Sequence, residues 1–150
     1  MELAYSYKPK RKEAAVKGMA RDVDISFKDA LVICDAIRGM QLEKAKAYLT
    51  DVISMERPVP YRRFNSSLGH KRNMPERGPG KYPQKAAREI LLLLNNITTN
   101  AEYKGLTPEN LKLTHLQAQK GIARRRRKPK GRWKTWKTQL VHVQAVCEEK

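Results

Sequence analysis

The spacing of apolar residues along the chain changes several times, and each change predicts an element. Residues 16–25, V-K-G-M-A-R-D-V-D-I, alternate briefly and read as a short strand. From Ser26 the apolar positions become Phe27, Ala30, Leu31, Cys34 and Ile37, which is helical spacing. S-F-K-D opens that helix with a hydroxyl N-cap and an acid three residues later, and Gly39 is a natural stop. A second helix follows almost at once, with Leu42, Ala45, Leu49, Val52 and Ile53 on one face and Pro58 expected to end it. The widest stripe is Ala86, Ala87, Ile90, Leu91, Leu94, Ile97 and Ala101, broadened by Leu92 and Leu93. It starts where Pro83 suits a first helical position, stops at Gly105, and predicts the central core helix. Residues 111–119 and 139–147 then read as two strands. In the second, Val141, Val143, Ala145 and Cys147 face one way and Leu140, His142 and Gln144 the other.

Three stretches carry no such period. Residues 1–15 are basic, contain Tyr5 and Tyr7, and read as an extended arm with few core anchors. Residues 58–82 are punctuated by Pro and Gly and carry six Lys or Arg against one Glu. A loop this long is either a floppy insertion or a functional one. The functional reading is a segment that orders on RNA, because Tyr61, Phe64 and Tyr82 interleave with Arg62, Arg63, Lys71, Arg72 and Arg77. The third stretch lies between the two strands. Ten of the eighteen residues from 120 to 137 are Lys or Arg, none is acidic, and Trp133 and Trp136 sit among them.

If 112–147 form one hairpin turning near Pro129 to Gly131, each arm spans up to ~17 residues, more than ~50 Å at ~3.3 Å per residue. A domain of this size has a radius of gyration of only ~15 Å, so the hairpin must project. Arg124 and Arg126 point one way and Arg125 and Arg127 the other, leaving both faces of the projection cationic. Neither face can pack on a protein core, and an isolated two-stranded ribbon is marginal in water. Phosphates on both sides would hold it, with the tryptophans free to stack on bases or to pack across the ribbon. A threading extension suits RNA better than the major groove of duplex DNA.

The whole chain agrees with that direction. Its 150 residues carry a net charge of +17, an excess that implies a polyanionic partner, with nucleic acid ahead of acidic membranes. No apolar run reaches the ~18 residues of a membrane span, and the first residues lack a signal-type apolar run. Cys34 and Cys147 stand alone and are expected to be reduced, buried thiols. Together with His70, His115 and His142 they show no metal-ligand spacing, so neither a metal nor a cofactor is expected. His115 and His142 read as strand surface residues. No nucleophile beside a base, carboxylate pair or Gly-rich phosphate loop suggests an enzyme.

Several short pieces, in order, resemble one family. A-R-D-V-D-I-S-F-K at 20–28, A-I-R-G at 36–39, N-A-E at 100–102, L-K-L-T at 111–114 and K-G-R at 130–132 match the large-subunit ribosomal protein L twenty-two family, called L seventeen in eukaryotes. The insertion at 58–82 is similar to the archaeal and eukaryotic branch. The resemblance implies an α+β fold, with three helices packed on a small antiparallel sheet and a long projecting β-hairpin. It implies one ribosomal-protein domain over 1–150 that carries both the insertion and the hairpin at about 112–147. It also implies a structural role on cytoplasmic ribosomes, bound to large-subunit ribosomal RNA and neighbouring ribosomal proteins. The expected RNA-binding residues are Arg62, Arg63, Lys71, Arg72, Arg77, Lys120, Arg124, Arg125, Arg126, Arg127, Lys128, Lys130, Arg132, Lys134 and Lys137. By the same resemblance the hairpin tip, Arg127, Lys128, Pro129, Lys130, Gly131, Arg132 and Trp133, lies near the nascent polypeptide in the exit tunnel. The competing reading is a module that compacts nucleic acid or chaperones RNA, with an RNA-directed enzyme further behind.

Overall fold

Three helices cover one face of a three-stranded antiparallel sheet in the computed structural model, which describes residues 4–9, 11–74, 78–129 and 134–149. The elements are β1 (Ala15–Val23), α1 (Phe27–Ile37), α2 (Leu42–Ile53), β2 (Val59–Pro60), β3 (Gly80–Lys81), α3 (Gln84–Tyr103), β4 (Leu111–Arg127) and β5 (Thr135–Glu149). The large sheet has the order β1-β5-β4, so the last strand is the central one. The fold is α+β, with a long β4–β5 hairpin.

Local chemistry explains where the helices begin and end. Ser26 Oγ accepts the Asp29 N–H at 3.4 Å at the start of α1. Gly39 takes φ +85° after its end, a conformation glycine adopts without steric cost. The Gly39 N–H then donates to Leu113 O at 2.8 Å, and Leu113 N–H to Met40 O at 2.9 Å. The α1–α2 connection thus hydrogen-bonds along the outer edge of β4. Arg38 reinforces this junction, donating from Nε and Nη2 to Leu116 O at 3.1 and 2.8 Å. The end of α2 corrects the expectation built on Pro58. The helix stops at Ile53, because Ser54 caps it and Met55 turns left-handed at φ +64°. Pro83 likewise precedes α3 as its cap residue, not as its first helical one.

The core lies between the helices and one face of the sheet. Ile33, Ile37, Leu49, Ile90, Leu94 and Ile97 meet Val16, Leu113, Leu116, Val141, Val143, Ala145 and Cys147, all essentially without solvent contact. α3 packs on β1 closely enough that a Cβ on Gly18 would come within 2.7 Å of Ile97 Cγ1. Leu93 joins this core, but Leu92, 58% exposed, points to solvent. The apolar stripe is therefore narrower than the run of four leucines suggests. Cys34 and Cys147 are free and buried, and burial pushes both thiols up to about 12.

The N-terminal arm is better anchored than expected. It lies on the sheet face opposite the helices. Gln144, 3% exposed, donates to Ala4 O at 3.0 Å and accepts the Ser6 N–H at 3.3 Å. Tyr7 stacks on His115 with centroids 5.4 Å apart, and its hydroxyl donates to Glu148 Oε1 at 3.1 Å. A buried amide needs such partners, and the arm supplies them.

Candidate nucleic-acid interface

The β4–β5 ladder runs from Leu111↔Glu149 to Arg127↔Thr135, with irregularities after Leu113 and after Lys120. β1 accompanies β5 only as far as Val23↔Val141. Beyond that level the described hairpin is a bare two-stranded ribbon. The transition is built at Gly121 and Ile122, which bulge out of register between Lys120↔Val141 and Ala123↔Gln139. Asp22, at φ +51°, holds the bulge from the side: its N–H donates to His142 Nδ1 at 3.0 Å and its Oδ1 accepts the Ile122 N–H at 3.4 Å. Gln139 Nε2 donates to Gly121 O at 2.7 Å. A Cβ on Gly121 would come within 2.8 Å of Asp22 Oδ1 and 2.9 Å of His142 Cε1, so glycine fits here because its neighbours crowd it.

Past the bulge, Arg124, Arg125, Arg126 and Arg127 pair in register with Thr138, Lys137, Trp136 and Thr135. All of them are exposed, as are Lys128, Pro129 and Lys134. Trp136 stands 62% exposed opposite Arg126 instead of packing into a cluster. The Lys128 N–H donates to Lys134 O at 2.9 Å and closes the ladder below the turn. Lys130, Gly131, Arg132 and Trp133 of the expected tip fall outside the described residues.

The insertion is tied down at its base. β2 and β3 pair through Val59↔Lys81 and Pro60↔Gly80. Tyr61 corrects the expectation of an RNA-facing ring: it is 3% exposed, its N–H donates to Pro79 O at 3.0 Å, and its hydroxyl donates to Asp29 Oδ1 at 2.7 Å. Burial and the Asp29 carboxylate both raise its pKa. Phe64, by contrast, is 42% exposed. Lys71 and Arg72 are exposed on the loop, and Arg77 lies outside the described residues.

These side chains gather around two clefts. One, of about 470 Å³, lies between α1, α2 and the insertion base; Val32, Met40, Pro58 and Pro60 contribute its apolar lining. Arg38, Arg57, Arg62 and Arg63 also line it, with Asp35 bound to Arg63 at 2.7 Å and to Arg38 at 3.1 Å. The other cleft, of about 680 Å³, opens between the first turn of α1, Phe64 and the ribbon root, bringing Lys120 and Lys137 beside Lys28 and Lys85. The expected cations thus divide among two clefts, the insertion loop and the ribbon. Sequence reasoning misses Arg38, Arg57, Lys28 and Lys85, because each sits on the polar side of an ordinary helix or turn. Among the described residues no helix is long and apolar enough to cross a membrane.

Known proteins align with this sequence over nearly its whole length. The family model described as ribosomal protein L22p/L17e matches residues 18–148. The chain is 44% identical over 146 residues to the large ribosomal subunit protein uL22 of Archaeoglobus fulgidus, covering 96% of this chain and 94% of that one. It is 42% identical over 147 residues to the protein of the same name from Methanosphaera stadtmanae, covering 97% and 96%. For the protein of that name from Thermofilum pendens the identity is 40% over 139 residues, covering 91% of each chain.

Proposed function

The chain belongs to the ribosomal protein L22p/L17e family, and on that premise we propose that it grips large-subunit ribosomal RNA with its cationic ribbon and carries the ribbon tip to the peptide exit tunnel. It is a structural constituent of the large ribosomal subunit and not an enzyme. Residues 1–150 act as one domain, with 58–82 and 112–147 as its two RNA-facing extensions.

One observation carries the proposal. Above Val23↔Val141 the ribbon loses its third strand, and Arg124 to Arg127, Lys134 and Lys137 are all exposed around it. Such a ribbon gains little from its own ladder in water. Phosphates threaded along both faces would neutralise it and release counterions, at ~0.7 to ~0.9 in the salt slope per phosphate. Arg62, Arg63, Lys71 and Arg72, with Arg77, extend the same chemistry to the insertion. The resemblance of the K-G-R turn to the family hairpin supports placing the tip beside the nascent chain.

Two photo-crosslinks in intact large subunits test this. A probe in place of Trp136 is expected to label ribosomal RNA. A probe in place of Trp133 is expected to label stalled nascent chains. Labelling of RNA alone from position 133 removes the tunnel part of the proposal. Labelling of neither RNA nor nascent chain from both positions removes the whole of it.

A further inference from the structure

We propose that the cleft at the ribbon root holds one unstacked RNA nucleotide, with its base against Phe64 and its phosphate among Lys28, Lys85, Lys120 and Lys137. This rests on the RNA-binding reading above and deepens it from a charged surface to a defined subsite. The cleft measures about 680 Å³, inside the ~300–1,000 Å³ range of sites for small ligands. A duplex is too large to enter such a space, whereas a single splayed nucleotide has the right size.

The aromatic residues set the geometry. Phe27 is half-buried against the core and forms a fixed wall. Phe64 is held outward, 42% exposed, by a backbone at φ +57°. Bulky residues rarely adopt that conformation, and residues held in it cluster at ligand-binding positions. Each ring already carries a cation: Lys120 Nζ lies 5.4 Å from the Phe27 centroid, and Lys28 Nζ 5.3 Å from that of Phe64. A base stacking on Phe64 displaces the Lys28 ammonium from the ring, and the attached phosphate receives it.

The charges select the ligand. Four lysines line the cleft, and its one acid among the described residues, Asp24, is already bound to Lys85 at 2.8 Å. Hydrogen bonding to Lys85 and its charge hold the Asp24 carboxyl below the usual range, so it stays ionised and paired. An apolar side chain from a neighbouring protein would satisfy the ring but bring no anion to Lys28, Lys120 and Lys137. A nucleotide satisfies both.

The test uses the full chain within large subunits. A benzophenone amino acid in place of Phe64 is expected to crosslink to one nucleotide of an unpaired RNA segment. In Phe64→Ala and Phe64→Leu particles, base methylation of that nucleotide is expected to rise about fivefold or more, the low end of what one base–aromatic stack contributes. The unfolding midpoint of the free variants should stay at the parent value, because Phe64 is exposed. Crosslinks to a peptide, crosslinks scattered over many nucleotides, or unchanged methylation would each overturn the proposal. The probe at position 136 separates two failures. If it labels ribosomal RNA while position 64 does not, the cleft reading alone is wrong; if neither labels RNA, the RNA-binding reading fails with it.

Discussion

From Leu111↔Glu149 to Lys120↔Val141, the β4–β5 hairpin has β1 beside it, helices on one face and the N-terminal arm on part of the other. From Ala123↔Gln139 to Arg127↔Thr135 it has neither a third strand nor a packed core among the described residues, and only at its root do the starts of α1 and α3 face it across the cleft. The backbone ladder continues through both halves, interrupted by an irregularity after Leu113 and by the bulge at their junction. What differs is the side chains and therefore the source of stability. In the lower half, burial of residues such as Leu113, Leu116 and Val143 contributes about 1.5–3 kcal/mol for each large side chain. In the upper half the side chains are mostly cationic and exposed, and under the proposed function phosphates supply there what the core supplies below. The same secondary structure can therefore be a core element at one end and a binding element at the other.

The sharpest way to break this comparison is to remove the upper half. Replacing 121–137 by Asn-Gly deletes nine cations. Cooperative unfolding should persist near the parent midpoint. The salt slope for RNA binding should fall by ~0.7 to ~0.9 for each phosphate left without its cation. Loss of cooperative melting would show that the ribbon supports the body. The opposite experiment is Leu116→Ala in the lower half. Chemical denaturation should report a loss of about 2–5 kcal/mol, with the salt slope of the folded variant unchanged. A smaller effect belongs to the junction. Gly121→Ala places a Cβ against Asp22 and His142 and should cost about 1–3 kcal/mol through overpacking. Its amide shifts should concentrate at Asp22, Ile122 and His142 and spare Leu116.

The last two changes are smaller still. Arg126→Gln should leave stability within about 0.5 kcal/mol, as for most exposed substitutions. It should lower the salt slope by only ~0.7 to ~0.9, the share of a single phosphate. Acid should separate the halves as well. Burial first, and then the nearby Arg38 charge, hold His115 below its ordinary pKa despite an opposing hydrogen bond to Gln117. The unfolded chain therefore takes up this proton first. Stability is full above the unfolded value near ~6.5 and falls as the pH drops through the lower folded value. His115→Gln should flatten that part of the stability profile.

Local signals made much of this legible in the sequence. Ser26, Gly39 and Gly105 fix helix ends through chemistry confined to a few residues. The alternation of Val141, Val143, Ala145 and Cys147 fixes which face of β5 meets the core, and the arginine run cannot be buried anywhere. What stayed hidden depends on distant partners. Tyr61 sits among arginines like a base-stacking ring, yet it turns inward because Asp29 can take its hydroxyl. Gln144 gives no hint that Ala4 and Ser6 will satisfy its amide. Leu92 shares its run with buried leucines and differs from them only in its angle around the helix. The cleft at the ribbon root joins side chains from five separate parts of the chain, and no spacing rule connects them.

The position of β5 also bears on how the protein comes to exist. It is the middle strand of its sheet and the last of them to be made. Until residues 141–148 emerge, β1 has no neighbour to accept its hydrogen bonds, and the partner it awaits lies more than a hundred residues downstream. Pairing over that separation is entropically costly and slow to nucleate. β4 is in the same position, since its arginines have no opposite arm before Thr135 to Thr138 appear. An interrupted chain therefore has neither a closed sheet nor a ribbon, while a finished one gains both from the same strand. Translation to the end of β5 is what separates a competent building block from a basic fragment.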